Sequence, residues 1–96
     1  MDHVVEDFGF RKLPHQLMRE IAHRHRKKRT QKKLSQAELA DRSGVSLGSL
    51  KRFESTGKIS IESLLKLAYA LDSTAEFETL FQGEDLPQTL DELFRK

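Results

Sequence analysis

Apolar residues recur at helical spacing along most of the chain, and this pattern predicts five short helices. Pro14 suits the first position of a helix, because its missing N–H would have no partner there. The predicted inward stripes of the five helices are Leu17, Met18, Ile21 and Ala22; Leu39 and Ala40; Leu47, Leu50 and Phe53; Ile61, Leu64, Leu65, Ala68 and Leu71; and Phe77, Leu80 and Phe81. The sequence therefore predicts an all-α domain.

Capping residues define the ends of the second and third helices, within residues 34–54. Ser35 and Glu38 have the spacing of a capping box, and Ser46 can cap the next helix. Gly44 lies between the two helices, where the first must end in a left-handed conformation. Two short helices joined by a tight glycine turn are typical of a DNA-binding helix-turn-helix, with an ordinary helical hairpin as the alternative.

Further caps divide the rest of the chain. Ser60 can cap the fourth helix, Ser73 and Glu76 form a second capping box for the fifth, and Gly83 ends it. We therefore expect an N-terminal arm at 1–13, a domain at 14–83 and a C-terminal tail at 84–96. The tail contains a short amphipathic helix carrying Leu90, Leu93 and Phe94.

Charge is segregated along the chain. Residues 11–58 hold 14 Lys or Arg against four acids, a net charge of +10, whereas residues 59–96 carry a net charge of −5. A dense basic run, RHRKKRTQKK, begins at Arg24, and we expect it at the exposed end of helix 1 and in the connection to helix 2. A basic block beside the helix-turn-helix favours contact with nucleic acid over scattered solvated charge.

Several functions find no support in the sequence. The chain has no cysteine for a disulfide or thiolate zinc site, and His23 and His25 face different ways on a helix, so no metal or other cofactor is expected. No catalytic constellation or phosphate-binding glycine loop stands out, so we expect no enzyme. No apolar run approaches a membrane span, and we expect a cytoplasmic, nucleoid-associated protein of bacteria.

The segment LSQAELADRSGVS resembles the helix-turn-helix of Cro/C1-type (XRE), lambda repressor-like regulators. The resemblance rests on Gln36, Ala40, Gly44, Val45 and Ser46. The continuation SLKRFESTGKISIESLLKLAYAL and the ending TLDELFRK are similar to the HipB-like branch, whose members are DNA-binding components of toxin–antitoxin operons. That similarity implies a repressor of its own operon and a HipA-like kinase as a partner.

The chain departs from the family pattern in helix 1. His25 and Lys33 stand where members usually have an apolar residue and a glycine, and Ile21 lies four residues before His25. We interpret this as an insertion of one helical turn that keeps the inner face aligned and turns the basic run outward.

The resemblance also implies which residues meet operator DNA. The predicted base contacts are Leu47, Gly48, Ser49 and Arg52, and the predicted backbone contacts are Ser35, Gln36, Ser46 and Lys51. The charge of the basic run beside helix 2 adds Arg29, Lys32 and Lys33 as predicted backbone contacts, with a solvated helix end or contact with an acidic patch of a protein partner as the alternatives. Arg52 can make a bidentate contact with guanine. Leu47 can contact a thymine methyl group or instead pack inward under helix 4, and Gln36 can meet a phosphate or the adjacent base.

A single small domain contacts too few bases to be specific within a genome. We therefore expect a homodimer that binds two half-sites. The residues predicted to form the dimer contact, or to hold the toxin, are Phe77, Phe81, Leu90, Leu93 and Phe94. Two other functions stay open: a stand-alone or phage-type repressor, and a protein–protein adaptor with the same fold.

Overall fold

The computed structural model describes residues 11–83 and contains four α-helices and one 3₁₀ helix there. They are α1 (Pro14–Gln31), α2 (Gln36–Ser43), α3 (Leu47–Thr56), α4 (Ile61–Ala70) and the 3₁₀ helix (Thr74–Phe77). Within 11–83 no strand occurs, as the sequence predicts. Helix α1 packs on α3, α2 packs on both α3 and α4, and the 3₁₀ helix packs on α4.

The turn between α2 and α3 forms as predicted. Ser35 Oγ accepts a hydrogen bond from the Glu38 N–H at 3.0 Å, and the Ser35 N–H donates to Glu38 Oε1 at 2.8 Å. Gly44 ends α2 at φ +80°, and Ser46 Oγ accepts from the N–H of Ser49 at 3.1 Å to start α3. These local hydrogen bonds satisfy backbone donors that helix ends otherwise leave unpaired.

The core lies between the four α-helices. Its largest fully buried side chains are Leu39, Leu50, Phe53 and Leu67, and its other members include Ala22, Ala40, Val45 and Leu71. Leu67 is a core residue that the sequence analysis left out of the α4 stripe, whereas Leu65 and Ile61 are exposed. The buried face of α4 therefore differs from the predicted one, because it includes Leu67 and excludes Ile61 and Leu65.

Helix α1 is longer than its apolar stripe. It continues through the basic run, since Lys and Arg form helices well and suit the negative C-terminal end of the helix dipole. Leu17, expected in the core, is 43% exposed. His25 and Arg29 follow Ile21 on the inner face at steps of four, and both side chains are more than nine-tenths buried. The expectation that the basic run turns outward is thus wrong for Arg29.

The predicted fifth α-helix is replaced by the short 3₁₀ helix followed by a turn. Its expected capping box does not form, because Ser73 is buried and its hydroxyl is used elsewhere. Ser73 Oγ donates to the Leu71 carbonyl at 3.2 Å and accepts from Lys28 Nζ at 3.0 Å, while Glu76 pairs with Lys28. Lys28 thereby fastens this turn to α1.

Gly57 ends α3 at a close approach to α1. It has φ +86°, and a Cβ at this position would lie 2.9 Å from the backbone carbonyl carbon of Met18. By contrast, a Cβ at Gly44 would meet nothing within 4 Å. Gly57 therefore sets how closely the end of α3 can lie against α1.

Two predicted segments lie outside the described residues. They are most of the arm, at 1–10, and the tail at 84–96, which includes Leu90, Leu93 and Phe94.

Candidate nucleic-acid interface

Helix α3 has one buried side and one exposed side. Leu50 and Phe53 are 0% and 1% exposed and pack in the core. Gly48, Lys51 and Arg52 lie on the exposed side. Because the two buried residues are three positions apart, they lie on one side of α3. The opposite side of this helix, the second of the helix-turn-helix, is exposed to solvent.

The four predicted base-contact residues all lie in the exposed part of α3. Leu47 is 37% exposed and does not belong to the core cluster, so part of its side chain faces solvent. Gly48 leaves open space, since a Cβ there would meet nothing within 4 Å. The Ser49 hydroxyl is hydrogen-bonded to that of Ser46 at 2.9 Å. Arg52 is the one residue of the four with a long side chain that can donate hydrogen bonds.

The cations predicted at the DNA backbone divide into two groups. Lys32, Lys33 and Lys51 are exposed, and none forms an ion pair with another residue of the part that the structure describes. Arg29 is different, because its side chain is 8% exposed and bound to Glu54. Arg29 is therefore left out of the interface proposed below.

Arg29 belongs to a buried polar cluster centred on Glu54, the residue after Phe53 in α3. Arg29 donates from Nε to Glu54 Oε2 at 2.9 Å and from Nη2 to Oε1 at 2.8 Å, and its Nη1 donates to the carbonyl of Leu34 at 2.8 Å. Gln36 Nε2 donates to Glu54 Oε1 at 3.0 Å. The cluster thus joins α1, α2 and α3 through one carboxylate.

His25 completes the cluster. Its Nδ1 lies 2.9 Å from Glu54 Oε2, and its ring packs edge-on against Phe53 with centroids 5.0 Å apart. Because an ionised carboxylate can only accept, Nδ1 carries the proton and donates to Glu54. The buried Nε2 finds no hydrogen-bond partner among residues 11–83.

The pKa values of the cluster follow from burial and the neighbouring charges. Burial acts to raise the pKa of Glu54, but hydrogen bonds from Arg29 and Gln36 and the charge of Arg29 outweigh it, so the pKa lies below its usual value. Burial lowers the pKa of His25 despite the opposing charge of Glu54. The cluster therefore holds Glu54 ionised and His25 neutral near pH 7.

Sequence reasoning missed both this cluster and a cation near the interface. The available signals were the four-residue spacing of Ile21, His25 and Arg29, and the acidic Glu54 directly after a core residue. Lys58, also missed, lines a polar hollow together with Arg52 between the end of α3 and the start of α4. The segment after Gly57 thus adds a positive charge beside Arg52.

Two of the predicted dimer or partner residues can be located. Phe81 is 94% exposed, and the neighbouring Leu80 is 51% exposed. Phe77 is partly buried and lines an apolar groove with Leu65 and Tyr69 of α4. This end of the molecule offers apolar surface, well separated in sequence from α3.

The family comparison agrees with the geometry of the two capped helices. A helix-turn-helix family model, HTH_3, matches residues 26–77, more than half of the chain. The chain belongs to the Cro/C1-type (XRE) helix-turn-helix family, a class of DNA-binding transcriptional regulators. No curated protein matches the chain.

Two kinds of feature are absent from residues 11–83. No helix in this range has the length and apolar character to span a membrane. No group of three His, Asp or Glu side chains there has the arrangement of a metal site.

Proposed function

We propose that the protein represses transcription by binding operator DNA with the outer face of α3 in the major groove. The observation that carries this proposal is the division of α3 itself. Leu50 and Phe53 anchor the helix from inside, while Arg52 and the open surface at Gly48 are left to solvent. Since the N-terminal part of a recognition helix meets base edges in this motif, Leu47, Gly48, Ser49 and Arg52 are the proposed base contacts.

The proposed backbone contacts surround that face. The N-terminal ends of α2 and α3, near Ser35, Gln36 and Ser46, present backbone N–H groups that suit phosphate oxygens. Lys32, Lys33 and Lys51 add exposed positive charge, and Lys58 joins them from the loop after α3. Phosphate contacts of this kind supply affinity without sequence information.

The experiment that tests repression by DNA binding uses the full chain and a labelled duplex from its own promoter. We expect anisotropy to rise on binding, and the affinity to fall steeply with salt because bound counterions are released. A duplex of the same length and composition in shuffled order is the control. Equal, weak binding to both duplexes would contradict the proposal and favour the adaptor function.

We further propose that the protein binds its operator as a homodimer and represses a toxin–antitoxin operon with a HipA-like kinase. The similarity to HipB-like sequences and the exposed apolar residues Leu80 and Phe81 support these two steps. Co-expression with a kinase encoded beside its gene tests the partner. Co-purification supports it, whereas the lack of such a neighbour favours the stand-alone repressor.

The apolar end of the molecule has two proposed occupants, a second copy or the toxin. Phe77 and Phe81, with Leu90, Leu93 and Phe94 of the tail, are the proposed contacts. A chain truncated after Gly83 separates the two roles. Loss of the dimer in size-exclusion chromatography assigns the tail to dimerisation, and a retained dimer that loses the kinase assigns it to the partner.

A further inference from the structure

The Glu54 carboxylate is fully occupied by hydrogen bonds. Oε1 accepts from Arg29 Nη2 and Gln36 Nε2, and Oε2 accepts from Arg29 Nε and His25 Nδ1. Four donors match the four lone-pair sites of an ionised carboxylate. With its side chain only 3% exposed, Glu54 could leave this position only by breaking these hydrogen bonds inside the protein.

This arrangement fixes which end of the Gln36 amide faces outward. An ionised carboxylate can accept but not donate, so the amide must turn its NH₂ group towards Glu54. The carbonyl Oε1 then lies at the other end of the amide, and it accepts no hydrogen bond from residues 11–83. Gln36 is therefore left with one free N–H and one free carbonyl oxygen.

A donor beside an acceptor suits one base edge better than it suits a phosphate. Phosphate oxygens only accept, so a phosphate could use the free N–H of Gln36 but not its carbonyl oxygen. In the major groove, adenine alone offers an acceptor, N7, next to a donor, the N6 amino group. Guanine offers two acceptors, cytosine a donor and thymine an acceptor.

We infer that Gln36 is a specificity-determining residue that selects adenine, and that Glu54 is the positioning residue that orients its amide. The inference rests on the proposed DNA binding and resolves the choice that the sequence left open between phosphate and base. Arg52 and Gln36 would then select different bases, guanine and adenine, from neighbouring helices of the motif.

The test is a selection of binding sites from a pool of randomised duplexes, performed with the full chain. The variants are Gln36→Ala and Glu54→Gln, and Glu62→Gln is a matched control because it makes the same change at an exposed carboxylate of α4. We expect the wild type and the control to require adenine at one position of each half-site. Replacing that adenine should weaken wild-type binding about tenfold.

Both Gln36→Ala and Glu54→Gln should make that single position degenerate while the guanine position assigned to Arg52 persists. An equal loss on all sequences for Gln36→Ala would show a phosphate contact and overturn the inference. Adenine preference retained by Glu54→Gln would also overturn it. A wild type that selects no sequence would instead refute the proposed function.

A measurement on the wild type covers the case in which Glu54→Gln does not fold. The side-chain NH₂ signals of Gln36 are assigned in ¹⁵N-labelled protein by their loss in Gln36→Ala, and the exposed Gln31 supplies the reference. We expect the Gln36 pair to be shifted downfield and to exchange with water more slowly than the Gln31 pair. Coincident, equally fast-exchanging signals would contradict the fixed amide.

Discussion

The two sides of α3 place similar charged groups in opposite environments. On the inner side, Arg29 and Glu54 meet in a bidentate pair whose side chains are 8% and 3% exposed. On the outer side, Lys51 and Arg52 are exposed and form no ion pair within residues 11–83. One side of α3 therefore binds a cation of α1 that serves the fold, through Glu54, whereas the other side carries exposed cations that are available to a partner.

This difference distinguishes cations that stabilise the fold from cations that can bind a partner, which the amino-acid composition alone does not distinguish. A buried arginine whose three nitrogens each donate a hydrogen bond holds helices in place, and removing its partner leaves a buried charge unpaired, which is costly. An exposed arginine contributes little to stability, so its effect should appear in binding. Variants on the inner side should change unfolding, and variants on the outer side should change DNA affinity.

Glu54→Ala should give the largest effect on the inner side. It leaves Arg29 buried without a counter-charge and removes the acceptor of Gln36 and His25, so unfolding should become easier by about 3–5 kcal/mol. Urea unfolding followed by circular dichroism measures this loss. Glu62→Ala, at an exposed i,i+4 pair, is the control, and an equal loss in both would contradict the structural role of the cluster.

A comparison of two glycines tests the packing of α3 on α1. Gly57→Ala should destabilise the domain by about 2–4 kcal/mol, because it combines a left-handed alanine with overpacking against the Met18 backbone. Gly44→Ala has the same backbone requirement without the close contact and should cost about 1–2 kcal/mol. Thermal unfolding of both variants measures the difference, and equal costs would show that α1 does not constrain the end of α3.

Local sequence signals predicted the helix-turn-helix well. The Ser35–Glu38 box, the left-handed Gly44 and the Ser46 cap act over three or four residues, so they need no tertiary context. The family model over residues 26–77 agrees with this part.

Features that depend on distant partners could not be predicted in the same way. Arg29 looked like one more surface cation, because its acceptor Glu54 lies 25 residues away in the sequence. The Ser73–Glu76 box failed because Lys28, 45 residues earlier, occupies the Ser73 hydroxyl. Charge patterns alone do not distinguish an arginine bound inside from one that faces solvent.

Arg52→Ala tests the outer side of α3. It should weaken binding to the selected operator by about 1–3 kcal/mol and relax the preference at one guanine, with the unfolding midpoint unchanged. Fluorescence anisotropy with operator duplexes and urea unfolding provide the two readouts. Lys66→Ala removes an exposed cation of α4 and is the control, and unchanged operator discrimination in Arg52→Ala would count against the base contact.

The pH dependence of stability gives the smallest expected effect. Burial and the charge of Arg29 lower the pKa of His25, and the charge of Glu54 opposes them, so the unfolded chain binds a proton at His25 more tightly than the folded one. Stability should therefore decline as the pH falls below about 6.5 and continue to decline down to the lower folded pKa.

His25→Gln is the matched variant, because its amide can donate to Glu54 but does not titrate. Urea midpoints measured from about pH 7.5 down to about pH 5, where Glu54 stays ionised, should fall less steeply in this variant than in the wild type. Parallel pH profiles would show that His25 does not contribute.

The most direct test of the division of α3 is the ¹H–¹⁵N NMR spectrum of the full chain, recorded without and with its operator duplex. We expect the largest shifts at the backbone amides of Gln36, Gly48 and Arg52, with small changes at Leu65 and Tyr69 of α4. Shifts concentrated at Leu65 and Tyr69, with Gly48 and Arg52 unmoved, would contradict the assignment of the outer face of α3 to DNA.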